Sequence, residues 1–530
     1  MLTLPLEPTD DRANPIFKDT ASCVQWLGQL QLTNFQLAHS KLLTQINELN
    51  RYPMRGAERL SILELLRETV GYIQDDLAKK LIGKPLPLNE NELMLFLSIV
   101  QLWQALVVGY QRVLQDYIAG DKQLAKHGAL LCQRCLFYSG LKILEYLRTG
   151  YKFSPKLWRQ LHALYSFAEQ RKLHQTEVPD ALSTHQMHSN CVNIYVKTLL
   201  ASYTNPAQLT RWQLQQTDHW LSLWSNSVTV ERRYTLSKND AEPLAADLSD
   251  TQGLQRIERV QHNDTMRYLA MVPLSKLLRV HTILLQQGQT PLQLGLGDHF
   301  DSRACVELLT FLHQCWCEDK HKRSCVRRPV SLNAALCYKP EGIYAHLTGK
   351  PFIQRDRSSL ARTETPAGAL ASTELVEMGY PLENWLMENE SIMGARLNRA
   401  DAIGGRINCK QLIALRPGNA QYFMLGATVW VRLTQNGKLE IGVRYLPGRP
   451  EPVRIRAHDI NLASLETPAF LLPAIPSLKT PSSLVIPRDW FQTKRLIEVS
   501  HADGKIFIAQ LGFSVERGLD YERVSFTIKD

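Results

Sequence analysis

From about residue 20 to 225, apolar positions recur every three or four residues. In 57–82, Leu60, Leu63, Leu66, Val70, Ile73, Leu77 and Leu81 keep that spacing, which gathers them on one helix face. Tyr52-Pro53, Gly83-Lys84-Pro85, Gly120-Asp121 and Gly150 punctuate the pattern where helices should stop. Further helices are predicted over 93–118, 124–148, 155–173, 187–203 and 207–225. Short polar connections between them imply antiparallel neighbours, hence an all-α bundle or an array of helical hairpins. Trp212, Trp220 and Trp224 fall on one helical face and read as a packed core stripe. Leu93 to Gln111 carries no charge, but Ser98, Gln101, Gln104 and Gln111 interrupt it, so it reads as a buried core helix and no membrane span is expected.

Residues 228–271 are less regular. Val228–Tyr234 suits a short strand, and the Asp/Asn/Pro-rich 238–265 reads as an exposed loop, before helices return at 273–287 and 302–318. After Arg328 the pattern becomes strand-like. Val330–Tyr338 and Gly342–Leu347 read as a hairpin closed by Lys339-Pro340-Glu341-Gly342. A polar segment, 350–383, precedes strand candidates at Asn384–Met387, Ala395–Leu397, Lys410–Leu415, Gly426–Leu433, Leu439–Tyr445 and Val453–His458, with Asn436-Gly437 as a two-residue hairpin turn. Leu496–Ser500, Lys505–Leu511 and Val524–Ile528 close the chain. The expected divisions are a helical domain at 1–225, a mixed connecting region at 226–319, a β domain at 320–458 and a β extension at 459–530.

Composition changes this picture in two places. The 530 residues are 44% hydrophobic and 21% charged, which excludes a disordered chain. The net charge of +10 is concentrated: ten of the Lys and Arg residues lie between Lys320 and Arg362, opposed only by Glu341 and Asp356. Such a local excess points to one anionic partner. The ten cysteines are scattered and no secretion signal is readable at the start, so reduced thiols in the cytoplasm are expected.

The candidate chemistry sits at the start of the β region. In an extended chain Asn389 and Ser391 share a face, offering donors and acceptors to one ligand edge, and Gly394 permits a close approach of ligand or backbone. Arg323 and Arg327 place two guanidiniums four residues apart, just ahead of the first strand and inside the basic stretch. These residues resemble the pattern of PilZ domains, the cyclic di-GMP receptor modules of bacteria: an Arg-x-x-x-Arg arm leading into a six-stranded antiparallel barrel, then Asp/Asn-x-Ser-x-x-Gly. Gly426-Ala-Thr-Val-Trp430 and Ile441-Gly-Val-Arg-Tyr445 are similar to that family's closing strands. The resemblance covers about 320–458 and requires 350–383 to be an insertion. It implies cyclic di-GMP as ligand, held by Arg323, Arg327, Asn389, Ser391 and Gly394. The chemistry agrees, because an arginine forks onto phosphate and stacks on a purine as lysine does not.

Other constellations carry less. Cys132 and Cys135 lie in a helical pattern flanked by leucines and read as core thiols. His313, Cys315, Cys317, His321 and Cys325 are dense, but residues two apart on a helix face away from each other. His185, His188 and Cys191 lack a fourth ligand. No metal or cofactor is therefore expected, and no P-loop, Gly-x-Ser-x-Gly or His-Glu-x-x-His motif suggests an enzyme. The expectation is an α+β multidomain signal-transduction adaptor that senses cyclic di-GMP and reports to an unidentified protein partner through its helical half. The alternatives are a ligand-free PilZ-like scaffold and a nucleic-acid-binding protein using the 320–362 stretch. The last is weakened because only Tyr338, Tyr344 and Phe352 interleave there.

Overall fold

The computed structural model describes residues 2–180, 182, 188–235, 241–298, 300–318, 326–354, 369–399, 404–458 and 465–529. It divides into two units, Met1–Lys84 with Leu88–Arg323 and Pro85–Pro87 with Ser324–Asp530.

In the first unit, the helical periodicity becomes α1 (Thr20–Gly28), α2 (Phe35–Arg51), α3 (Gly56–Lys79), α4 (Glu90–Ile118), α5 (Gly128–Thr149), α6 (Lys156–Gln170), α7 (Cys191–Tyr203) and α8 (Arg211–Trp224). Leu63, Leu66, Val70 and Ile73 of α3 are fully buried, the face their spacing predicted. Asn89 caps α4 and Glu92 reaches back to its backbone, a reciprocal capping box. Among the described residues α4 alone is long and apolar enough to cross a membrane. Phe96, Ile99, Leu102, Leu106 and Tyr110 are instead buried as it packs against α2, α3 and α5. The tryptophan stripe is only partly a core stripe. Trp220 and Trp224 are buried and stacked at 5.3 Å, whereas Trp212, in the first turn of α8, is 53% exposed.

Of the segment read as a loop over 238–265, the described part, 241–265, contains strands. Strands β3 (Thr229–Glu231), β4 (Leu244–Asp247), β5 (Gln255–Arg256) and β6 (Met266–Ala270) form a sheet in the order β3-β6-β4-β5, following the short hairpin of β1 (Val178–Pro179) and β2 (His188–Ser189). Leu244-Ala-Ala-Asp247 is too short to display alternation, and its polar flanks mask it. Ala245 and Ala246 are nonetheless fully buried. Helices α9 (Val272–Gln286) and α10 (Ser302–Cys317) complete the unit.

Burial holds His39, His162, His174, His281 and His313 of this unit below the ordinary histidine pKa of 6.5. Each therefore takes its proton more readily in the unfolded chain. Their contribution is complete above pH 6.5 and is lost as pH falls through 6.5 toward the lower folded values. The unfolding free energy from denaturant titrations between pH 7.5 and 5 should fall, with a slope of up to about 1.4 kcal/mol per pH unit for each histidine. A flat profile would mean these rings are not buried neutral.

The second unit holds two closed six-stranded antiparallel barrels. The first uses β7 (Arg328–Tyr338), β8 (Glu383–Ser391), β9 (Gly394–Arg399), β10 (Leu412–Pro417), β11 (Met424–Leu433) and β12 (Leu439–Tyr445), in the order β10-β11-β12-β9-β8-β7. Between β7 and β8 the predicted strand 342–347 is corrected to a helix, α11 (Pro340–Thr348). Pro340 opens it at the first turn and Gly349, at φ +68°, ends it left-handed, the Pro-start and Gly-stop asymmetry of helices. Of the insertion expected at 350–383, 355–368 lies outside the described residues, and a short helix α12 (Ser372–Glu377) follows.

The predicted C-terminal β extension is itself a barrel, built from β13 (Glu451–Ala457), β14 (Thr467–Leu472), β15 (Ser483–Pro487), β16 (Leu496–His501), β17 (Ile506–Arg517) and β18 (Tyr521–Lys529). Its order, β13-β14-β15-β18-β17-β16, repeats the cyclic strand order of the first barrel. The strand expected at 453–458 belongs here, as β13, pairing with β14 and β16. The barrels share a core in which Ile343 and Tyr344 of α11 meet Leu412 and Leu425 on one side and Phe470, Val485 and Tyr521 on the other. Arg454 ties the segment after α11 to the second barrel, donating to the Ile353 carbonyl and to Glu466, each at 2.7 Å, with its guanidinium 4.4 Å from the Phe352 ring. The tripeptide Pro85–Pro87 also joins this unit: Leu86 bridges to Ile407, and the Arg406 Nε donates to the Pro87 carbonyl at 3.1 Å.

Candidate functional site on the first barrel

The motif residues lie on the β8–β9 hairpin. Met387 of β8 faces the barrel core, fully buried opposite Leu397. Simple alternation would turn Asn389 inward as well. A bulge between Met387 and Asn389 resets the register and pairs Asn389 with Arg396, and Ser391 with Gly394. Ala395 and Leu397 of β9 and Ile441 and Val443 of β12 are buried, so Gly394, Arg396, Gly442 and Arg444 lie on the outer face between them. Two rows result across three adjacent strands: Asn389–Arg396–Gly442 and Ser391–Gly394–Arg444.

Arg327 stands ahead of β7, and its Nη1 donates to the Asn389 Oδ1 at 3.2 Å across 62 residues of sequence. Arg328 and Pro329 pair with Glu390 and Asn389, which holds the arm beside the motif. The structure thus brings together four of the five predicted residues, Arg327, Asn389, Ser391 and Gly394. Arg323 lies outside the described residues, as do Lys320, Lys322, Arg355, Arg357 and Arg362 of the basic stretch. Ser391 donates to the Gly394 carbonyl at 3.1 Å, closing the hairpin. Gly394 is needed by the backbone: a Cβ there would stand 2.0 Å from the Val443 carbonyl oxygen and 3.1 Å from the Arg444 Cα. Gly442 serves a side chain, because Trp430 lies over it, its Nε1 2.2 Å from where a Cβ would be.

Two arginines on this face were not among the predicted contacts. Arg396 pairs with Glu388 at 2.8 Å and with Glu440 at 2.9 Å. Arg444 pairs with Glu516 of the second barrel. Arg444 lay within the closing-strand run read from sequence, and the alternation Ile441, Val443 against Gly442, Arg444 is the signal that would have placed it outside. Tyr445 donates to Glu390 at 3.5 Å; burial first, then the Glu390 carboxylate, keeps its phenol from ionising. Arg396 and Arg444 lie on this outer face, and Arg327 stands beside the Asn389 amide on the hairpin that carries the Ser391 hydroxyl. Such a surface suits a flat, polar, multiply anionic ligand.

The metal and catalytic alternatives look different in three dimensions. Cys132 and Cys135 are buried in α5, and burial pushes the Cys132 thiol up to about 12, which makes it unreactive. Among the described residues no three His, Cys, Asp or Glu side chains converge on a metal position. His185, His321 and Cys325 lie outside them. His313 does stand between Ser275, at 2.9 Å, and Glu318, at 3.2 Å, a hydrolase-like chain. The Arg279 Nε, however, donates to the same His313 Nε2 at 3.0 Å and occupies the lone pair a general base requires, and Ser275 is buried.

Strand number, closure and the Asn-x-Ser-x-x-Gly hairpin make the first barrel PilZ-like; in sequence it follows the helical region and precedes the second barrel. Residues 21–234 match the family described as the N-terminal domain of the cyclic-di-GMP receptor FimW, and residues 455–528 match its C-terminal beta-barrel domain. The two matched segments together span more than half of the chain. Over 546 aligned residues the chain is 20% identical to the cyclic-di-GMP receptor FimW of Pseudomonas aeruginosa, covering 93% of this chain and 88% of the relative.

Proposed function

We propose that the chain is a receptor for cyclic di-GMP that binds its ligand on the outer face of the first barrel. The observation that carries this reading is the Arg327–Asn389 hydrogen bond, which fixes the arm against the motif hairpin so that guanidinium, amide and hydroxyl face one ligand. In this reading Arg327 forks onto a phosphate and stacks on a guanine, Asn389 and Ser391 read the guanine edge, and Gly394 lets β9 approach β12. Arg323 joins as the second arginine of the arm. The relative's description as a cyclic-di-GMP receptor, along nearly the whole chain, supports the same ligand. The role is that of a bacterial signal-transduction adaptor rather than an enzyme. The helical unit is the surface for a protein partner, and the cytoplasm is the compartment, in keeping with nine free cysteines among the described residues.

A calorimetric titration of the full chain with cyclic di-GMP, with GTP and a short oligonucleotide as controls, tests this. Arg327→Lys keeps the charge but loses both geometries, so it should cost nearly as much as Arg327→Ala, each on the order of 2 kcal/mol or about thirtyfold in affinity. Ser391→Ala should weaken binding by about 1 kcal/mol. A lysine variant that binds like the parent, with the oligonucleotide bound as tightly and both falling steeply with salt, would favour a diffuse basic patch.

A further inference from the structure

The outer row Ser391–Gly394–Arg444 ends on a residue that the second barrel holds. Arg444 is 39% exposed, and its side chain leaves the motif face to pair with Glu516 at the end of β17. The buried Tyr521 also donates its hydroxyl to Glu516. The 516–521 turn of the second barrel has two further ties to the first: the Leu519 N–H donates to the Lys410 carbonyl at 2.7 Å, and the Leu412 N–H donates to the half-buried Asp520 carboxylate at 2.8 Å. The backbone of Val443 and Arg444 touches Gly394 closely enough to forbid a side chain there. Arg444 is therefore next to the motif through its main chain and attached to the second barrel through its guanidinium.

We propose that Arg444 is exchanged between Glu516 and a phosphate of the bound cyclic dinucleotide, so that occupation of the site releases the Glu516 tie and loosens the 516–521 turn of the second barrel against the first. This rests on the proposed ligand site. Gly394 leaves no side chain between Ser391 and Arg444, which lie two strand spacings, roughly 10 Å, apart. A ligand phosphate over Gly394 is within an arginine's reach. A phosphate takes the guanidinium's paired N–H groups in a charge-assisted fork, which outcompetes a partly exposed ion pair. Glu516 is not stranded by the exchange. It retains the Tyr521 hydroxyl, and Arg523, donating to Ser483 at 2.9 Å, lies within its field. The ligand thus has a contact in the bound state that the free state spends on the second barrel, and this differential lets binding shift a conformational equilibrium.

Cyclic di-GMP titrations of the full-length parent, Ser391→Ala, Glu516→Gln, Arg444→Ala and the Arg444→Ala/Glu516→Gln double variant test the exchange. Glu516→Gln removes the competitor and should tighten binding about fivefold, the size of a partly exposed ion pair. Arg444→Ala should weaken it about tenfold. In the Arg444→Ala background the Glu516 change should have no effect, because no arginine is left to compete for. Hydrogen exchange of the parent provides a readout that needs no variant: with saturating ligand, protection should rise at 389–396 and fall at 516–521. If Ser391→Ala weakens binding while Glu516→Gln leaves it unchanged or weaker, or if 516–521 keeps its protection while 389–396 gains it, the exchange is wrong and the ligand site stands. If neither Ser391→Ala nor Arg444→Ala alters affinity, the ligand site itself is wrong.

Discussion

Gly394→Val should abolish cyclic di-GMP binding and destabilise the first barrel by about 3 kcal/mol, at the upper end of overpacking costs. The collision is with backbone rather than with a side chain that could rotate away. Even a Cβ stands 2.0 Å from the Val443 carbonyl oxygen, and Val443 and Arg444 are paired with Ala395 and Gly394 in the β9–β12 ladder. To admit a branched side chain β9 must lift from β12, which breaks the outer row linking Ser391 to Arg444. Gly394→Ala should act in the same direction. Ser391→Ala is the matched comparison, since it removes one hydroxyl from a half-buried site and leaves the ladder intact. Urea midpoints separate the two effects: Gly394→Val lowers both midpoint and affinity, whereas Ser391→Ala lowers affinity with the midpoint nearly unchanged. A Gly394→Val protein with the parent's midpoint and affinity would mean that β9 and β12 are not packed this closely.

What could be read from the residues alone, and what could not, follows from how each element announces itself. The long helices were legible because three- and four-residue spacing persists over several turns, as in Leu60 to Leu81. Asn389, Ser391 and Gly394 were legible because one ligand edge requires them close in sequence. Their common outward face, however, depends on the bulge after Met387, which no residue type marks. Three misreadings have one cause, local signals too short to resolve. Pro340-Glu-Gly342 is a turn by composition, yet the same residues start a helix once Ile343 and Tyr344 have a two-barrel core to fill. Leu244–Asp247 shows no period in four residues and is a strand only because Met266–Ala270 pairs with it. In the C-terminal region the short strands β14 and β15 show no alternation, and closure into a second barrel is a property of pairings such as β13 with β16, which are not written in either strand. The Arg444–Glu516 contact was invisible for the same reason, since 72 residues separate its partners.

Asp180→Ala should cost the helical unit about 3 kcal/mol or more, while leaving the affinity for cyclic di-GMP as it is. Arg67 and Arg134 are buried, and their charges are met by Glu64 and Asp180. Asp180 takes the Arg67 Nη2 at 2.8 Å and the Gln133 amide at 3.3 Å, while Glu64 accepts two N–H groups of Arg134, each at 2.9 Å, and the Tyr110 hydroxyl at 2.7 Å. Asp180 also follows β1, so the network fixes the β1–β2 hairpin against α3 and α5. Removing the carboxylate leaves the Arg67 guanidinium buried beside Tyr138, with Glu64 at 3.5 Å as its remaining counter-ion. Most of the loss is that uncompensated charge rather than the worth of the pair. Arg67→Met/Asp180→Leu should therefore cost much less than the two single changes added together, which a double-mutant cycle on urea midpoints measures. Affinity is the second readout, because every proposed contact described in the structure lies in the barrel unit. Additive stability losses would show that the two side chains are not a buried pair. A fall in cyclic di-GMP affinity at unchanged stability would place part of the ligand site in the helical unit.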